Sequence, residues 1–210
     1  METSTTHYLF ILDKSGSMAN CWSETLDALS HQYNLIEQHC KQHPDQPVRA
    51  SLVYFNVRAQ RAFWDIDGTV LTQQPFRFGH PAGGTALMDA IGISIHQLQM
   101  RMKPQDDAIV IMLTDGEENS SNVYSFRQIS EFMEQLTATG KWTFTLLGAD
   151  VDAFEAIGSK LKMRREQVFM FKKSQTKEAF DEVNVKMTNF FEKKSKGEST
   201  RDAFLFGDLF

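Results

Sequence analysis

The chain has 210 residues, of which 41% are hydrophobic and 23% charged, and its formal net charge is −5. This composition predicts one globular domain with a full apolar core, while the negative charge disfavours non-specific nucleic-acid binding. No apolar run is long enough to cross a bilayer, and residues 1–6 lack a signal-peptide pattern, so we expect a cytoplasmic protein. In that compartment Cys21 and Cys40 would be thiols rather than a disulfide.

The first half of the chain predicts strands around one amphipathic helix. The apolar runs Tyr8–Leu12 and Val48–Phe55 predict two buried strands. Between them an apolar stripe at helical spacing predicts a helix that stops at His43-Pro44. Gln60–Trp64 alternates like the edge strand of a hairpin, and Gly68–Gly84 is a predicted loop region. The helical stripe consists of Leu26, Leu29, Tyr33 and Ile36.

The second half alternates strands with helices. The predicted helices are Ile91–Met102, Phe126–Leu136, a short one near Ala153–Leu161, and Phe180–Phe190. The predicted strands are Ala108–Leu113, Trp142–Leu147 and Val168–Phe171. This alternation predicts an α/β fold: a Rossmann-like, doubly wound, mostly parallel sheet with one antiparallel edge strand and helices on both faces.

Oxygen-bearing side chains follow two of the predicted buried strands. Asp13, Ser15 and Ser17 come directly after the first strand, and Asp115 follows Ala108–Leu113. Thr85 stands in a third loop, after two glycines. Because open α/β sheets place ligand sites at the carboxyl ends of their strands, these side chains predict one metal site. Two carboxylates and three hydroxyls suit Mg²⁺, Mn²⁺ or Ca²⁺ rather than Zn²⁺, and they leave room for an oxygen from water or a partner.

These residues resemble the metal-ion-dependent adhesion site (MIDAS) of the von Willebrand factor A (vWA) family, which includes integrin I domains. The family pattern is Asp-x-Ser-x-Ser, then a distant Thr and a distant Asp. The chain carries that pattern as Asp13, Ser15, Ser17, Thr85 and Asp115. The chain is similar to small stand-alone vWA domains of the bacterial or phage type. The predicted domain covers residues 1–194, and residues 195–210 form a polar linker with an apolar tail.

The resemblance implies a divalent-cation-dependent protein-binding module without catalysis, working within a multiprotein complex. Ser15, Ser17 and Thr85 would ligate the ion directly, and one or both aspartates would act through water. The open position would take an Asp or Glu carboxylate from a partner protein. Partner binding would then alter the shell around Thr85 and Asp115 and shift the last helix.

A second motif supports a competing hypothesis. Asp65-Ile66-Asp67-Gly68-Thr69-Val70 matches the nucleophile loop of haloacid dehalogenase-type phosphatases, in which the first Asp attacks a phosphoryl group and the second is the acid/base beside Mg²⁺. That loop normally ends a central strand, whereas this one ends a predicted edge hairpin. Asp-Gly is also a common turn sequence.

The apolar tail supports a third hypothesis, an assembly subunit in which the ion only stabilises the fold. Phe204–Phe210 would either fold back onto the domain or dock onto a partner or another copy.

Charged residues flank the predicted metal site. Glu117 and Glu118 are expected as exposed acids, or as contacts to a second ion or a basic group. Lys14 is expected to face solvent or to steer an acidic partner.

Overall fold

Six strands form one mixed sheet in the computed structural model, which describes residues 4–74, 78–115, 118–148, 157–171, 175–200 and 202–203. The strand order is β3-β2-β1-β4-β5-β6. Neighbouring strands run parallel except β3, which is antiparallel to β2 at the edge. The strands are β1 Thr6–Asp13, β2 Val48–Phe55, β3 Ala59–Asp67, β4 Asp107–Thr114, β5 Trp142–Gly148 and β6 Val168–Met170. The predicted fold class is confirmed.

Helices cover both faces of the sheet, so β1 and β4 are buried along their whole length. The helices are α1 Trp22–Gln42, α2 Leu87–Gln99, α3 Phe126–Ala138 and α4 Thr176–Ser195. Alternate residues of β1 face opposite layers. Phe10 packs with α1 and α4, where its ring stacks on Phe180 at 5.7 Å. Ile11 packs with α2 and α3 on the other face.

The chain changes direction across the sheet between β1 and β4. From β1 it proceeds outward to β2 and β3, and it then returns to β4 on the other side of β1. Parallel sheets open a crevice at such a switch point, outside the carboxyl ends of the two strands. Asp13 ends β1 and Asp115 follows β4, so both acids lie at this crevice.

Several segments differ from the sequence-based expectations. Gly16–Asn20 and Gly68–Gln73 are short 3₁₀ helices rather than plain loops. The second begins where Asp67 accepts hydrogen bonds from the backbone and hydroxyl of Thr69. Of the helix expected near Ala153–Leu161, residues 157–160 are helical and the earlier part lies outside the described residues. The tail Phe204–Phe210 also lies outside them.

The end of α4 is attached to the start of the two central strands. Lys194 Nζ donates to Thr6 Oγ1 at 2.7 Å and forms an ion pair with Asp107 at 2.9 Å. Lys194 is largely buried there, which makes this pair less screened than an exposed one. None of the described helices has the length and apolar character needed to cross a membrane.

Both cysteines are buried, and no disulfide joins them. Burial raises the pKa of the Cys40 thiol to about 11, which keeps it protonated and unreactive at neutral pH. A Cβ atom at Gly68 would lie only 2.5 Å from Cys40 Sγ, so the 3₁₀ helix after β3 depends on glycine at that position.

Candidate metal centre

Asp13 is held at the end of β1 by hydrogen bonds from Ser15 and Thr114. Its Oδ1 accepts from the backbone of Ser15 at 2.7 Å, and its Oδ2 accepts from Thr114 Oγ1 at 2.6 Å. The side chain is fully buried. Burial raises the pKa of Asp13 to about 6, against the lowering effect of these hydrogen bonds, and the charge of Asp115 adds a smaller increase. A nearby cation would stabilise the ionised form of an acid that is buried in this way.

Two serine hydroxyls connect Asp13's loop to Asp115. Ser15 Oγ and Ser17 Oγ are 3.0 Å apart, and Ser17 Oγ donates to Asp115 Oδ1 at 2.6 Å. Ser15 and Asp115 are buried, whereas Ser17 is exposed. The cluster therefore opens to solvent on the side of Ser17. Gly116 and Glu117, which follow Asp115, lie outside the described residues.

The loop that carries Thr85 is attached to the same cluster through its backbone. Gly16 donates to the carbonyl of Gly83 at 3.1 Å, and Ala82 donates to the carbonyl of Lys14 at 3.0 Å. Thr85 itself is buried. The structure thus brings Asp13, Ser15, Ser17 and Asp115 together through side chains, and it attaches Thr85 to them through the backbone of the residues that precede it.

The segment after β4 fixes Thr85 from the other side. Asn119 Oδ1 accepts from the backbone of Thr85 at 2.9 Å, and the carbonyl of Thr85 accepts from the backbone of Asn119 at 3.0 Å and of Ser120 at 3.2 Å. A Cβ atom at Gly84 would lie 2.3 Å from Ser120 Oγ. Close packing therefore favours glycine at that position.

Two acids outside the predicted set organise this segment. Glu118 accepts from the backbone of Met88 at the start of α2 and from both the backbone and the hydroxyl of Ser121. Asp89, in the first turn of α2, accepts from the backbone of Asn122, Val123 and Tyr124 at 2.8–2.9 Å. The half-buried Glu118 is therefore a structural acceptor, which differs from the exposed acid expected from the sequence.

Lys14 also differs from the expectation that it faces solvent. It is half-buried, and its Nζ lies 5.3 Å from the centre of the Tyr54 ring. This cation–π contact draws the ammonium group toward β2.

The donor set fits a small, hard cation. Among the described residues, no group of three or more His, Cys, Asp or Glu is arranged to hold a metal ion, so a site at Asp13 and Asp115 needs hydroxyl ligands. Ser15 and Ser17 supply such oxygens within the same hydrogen-bonded cluster. Carboxylate and hydroxyl oxygens together suit Mg²⁺, Mn²⁺ or Ca²⁺.

No protein-family model and no curated protein sequence matches this chain. Solved structures do match. Proximal thread matrix protein 1 (PTMP1) from the mussel byssus, with a zinc-occupied MIDAS motif, is 17% identical, with a TM-score of 0.59 over 87% of this chain. A von Willebrand factor type A protein from Catenulispora acidiphila is also 17% identical, with a TM-score of 0.59 over 89%. The vWF domain of the pili tip protein Mfa5 from Porphyromonas gingivalis is 13% identical, with a TM-score of 0.62 over 90%.

The chain has the vWA fold. It spans 45% of the PTMP1 chain, 43% of the Catenulispora chain and 96% of the Mfa5 domain. The first two proteins are therefore more than twice the length of the vWA region that they share with this chain.

The phosphatase motif lies at the opposite end of the vWA sheet from Asp13. Asp67 pairs with Arg49, which pairs with His7 near the start of β1, roughly 20 Å from Asp13 at about 3.3 Å per residue. Asp65, in a left-handed backbone conformation, forms an ion pair with Arg49 at 3.1 Å. Both acids of the motif therefore have structural partners, since Asp67 caps the 3₁₀ helix through Thr69.

Proposed function

We propose that this vWA domain is a divalent-cation-dependent protein-binding module that captures an acidic side chain of a partner protein. The observation that carries the proposal is the continuous set of hydrogen bonds joining Asp13, Ser15, Ser17 and Asp115 at the switch point of the sheet. These residues and Thr85 would hold the ion. When bound, the ion supplies a positive charge with an open position for a carboxylate oxygen.

The relatives support binding rather than a particular reaction. PTMP1 carries a zinc-occupied MIDAS motif, which shows that this type of site takes a divalent ion in that protein. The all-oxygen donors of this chain favour Mg²⁺, Mn²⁺ or Ca²⁺. The described contacts of Asp65 and Asp67 do not favour the phosphatase alternative, because Asp65 pairs with Arg49 of β2 and Asp67 caps the 3₁₀ helix after β3. We place the module in the cytoplasm, where its buried thiols suit a reducing environment.

Metal titration of the EDTA-treated chain tests the first half of the proposal. Calorimetry with Mg²⁺, Mn²⁺ and Ca²⁺ should show one site in the wild type and none in Asp13→Ala or Asp115→Ala. Asp65→Ala is the matched control, because that acid lies at the other end of the sheet, and it should keep the site. Equal metal binding by wild type and Asp13→Ala would overturn the proposal.

Capture of an acid is tested with short synthetic peptides carrying one Asp in a neutral sequence. Fluorescence polarisation should detect binding only with the divalent ion present and only when Asp13 is intact. A peptide in which Asn replaces Asp is the control. Binding that persists in EDTA would exclude metal-mediated capture.

A further inference from the structure

A cleft of about 430 Å³ opens beside the proposed metal site. One wall is the turn between β2 and β3, with Val57 and Arg58, and the other is the segment 119–122. Gly83 lies beside the first wall, because a Cβ atom built on it would be 3.6 Å from Val57 Cγ1. Gly84 lies beside the second wall, where a Cβ atom would clash with Ser120. Because these glycines directly precede Thr85, the cleft adjoins the loop that would hold the ion.

The first wall carries the groups that are available to a ligand. Arg58 is exposed, and its guanidinium makes no ion pair or hydrogen bond with the described part of the chain. Val57 has 50% of its surface exposed. By contrast, Arg49 and Arg127 are each paired with an acid. This wall therefore presents one positive charge next to an apolar side chain.

The second wall is already held in shape by its own hydrogen bonds. Ser120 Oγ donates to Asn119 Oδ1 at 2.7 Å, and Asn122 Nδ2 donates to the carbonyl of Ser120 at 2.8 Å. The wall is attached to the loop of Thr85 and to α2. A ligand therefore meets a preformed surface on this side and loses little free energy in ordering it.

We propose that this cleft seats an extended acidic segment of the partner, with one acid on the ion, a second acid on Arg58, and an apolar contact on Val57. The inference rests on the proposed function, because the first acid needs the metal. Charge complementarity carries it: the ion would attract one acid beside the cleft, and the exposed guanidinium of Arg58 would attract a second acid at the cleft wall. The exposed, apolar Val57 favours a polypeptide over an inorganic anion.

Peptides with one Asp, and with two Asp at varied spacing, test the proposal in fluorescence polarisation with Mn²⁺. At one spacing the two-Asp peptide should bind wild type about fivefold more tightly than the one-Asp peptide. In Arg58→Gln that ratio should fall to about one, as expected when a single ion pair is removed. Arg127→Gln, which removes an exposed arginine of α3, should keep the ratio. Circular dichroism confirms that each variant folds.

The outcomes separate the two proposals. If the one-Asp peptide binds in an Asp13-dependent manner but no spacing gives a gain, or the gain survives Arg58→Gln, the second acid site is wrong and metal-mediated capture stands. If no peptide shows metal- and Asp13-dependent binding, the proposed function fails and the inference fails with it.

Discussion

Ser17 donates a 2.6 Å hydrogen bond to Asp115 although 98 residues separate them along the chain. This contact joins the loop after β1 to the end of β4, and Ser17 is the exposed member of the cluster. A ligand approaching the site therefore meets the Ser17 hydroxyl first.

Replacing Ser17 by Ala should weaken Mn²⁺ binding by about tenfold or more, since it removes a proposed ligand together with the bridge between the acids. Calorimetric titration measures the change. Ser23→Ala is the matched control, because Ser23 is an exposed serine in the first turn of α1. Equal affinities of the two variants would mean that Ser17 takes no part in holding the ion.

Thr114→Val should destabilise the EDTA-treated protein by about 1–3 kcal/mol, because it removes a hydrogen bond to the buried Asp13 carboxyl. It should also weaken metal binding by about tenfold, as the loss of a group that orients a ligand does. Urea unfolding and calorimetry check the two effects. Thr145→Val is the control: that buried hydroxyl of β5 has no hydrogen-bond partner among the described residues, so its removal should be neutral or stabilising. Similar destabilisation by both variants would contradict the role of Thr114.

Gly92→Ala should lower the free energy of unfolding by about 1–3 kcal/mol through overpacking. Helix propensity alone would predict a gain of up to about 1 kcal/mol. The reversal follows from Tyr124, whose ring would lie 2.6 Å from the new Cβ atom. Denaturant unfolding of the two single variants and of Gly92→Ala/Tyr124→Ala gives the coupling energy. If the two substitutions changed the free energy of unfolding additively, overpacking against the Tyr124 ring would not explain the effect of Gly92→Ala.

His39 should make the fold less stable in mild acid. Its pKa is lowered to about 4, mainly by burial and to a smaller extent by the charges of His43 and Lys194, while the charge of Asp45 acts in the opposite direction. The unfolded chain, with an ordinary pKa of about 6.5, binds the proton more readily. The contribution of His39 to stability is therefore complete above about pH 6.5 and is lost as pH falls toward about 4.

His39→Phe removes that titration and retains an aromatic ring against Phe191, which lies 3.8 Å from the imidazole centre. Between about pH 7 and pH 5 the wild type should lose up to about 1 kcal/mol more than the variant in urea unfolding, which is less than the full pKa shift would give because solvent partly screens the half-buried imidazole. The comparison cancels Asp13, whose raised pKa acts in the opposite direction in both proteins. Parallel pH profiles of the two proteins would mean that the pKa of His39 is the same in the folded and the unfolded state.

Continuous apolar runs were sufficient to predict the central strands, because these strands are buried on both faces. Val48–Phe55 matches β2 at both ends, and Tyr8–Leu12 is one residue short of the end of β1 and two short of its start. A different pattern predicted the antiparallel edge strand: its apolar and polar residues alternate, as is typical of a strand with one exposed face. The boundary of the domain at residue 194 stays a prediction.

The residues that hold the candidate site in place could not be predicted in the same way. Glu118 and Asp89 act through backbone groups that are distant along the chain or belong to an irregular segment. Such contacts leave no periodic signal. Thr114 stands in the Thr-Asp-Gly motif, but only the parallel pairing of β1 with β4 places its hydroxyl on Asp13. The position of Asp65 and Asp67 likewise follows from the reversed direction of β3.

Because the proposed metal site requires β1 to pair with β4, metal binding can be used to follow folding. Asp13 and Asp115 lie close together because β1 pairs with β4, which follows it much later along the chain. An N-terminal fragment that stops before β4 would retain the Asp-x-Ser-x-Ser sequence, yet it would have no second acid and no strand to set the distance. Titration of manganese during refolding would accordingly follow completion of the central sheet, whereas helix formation in α1 alone would go undetected.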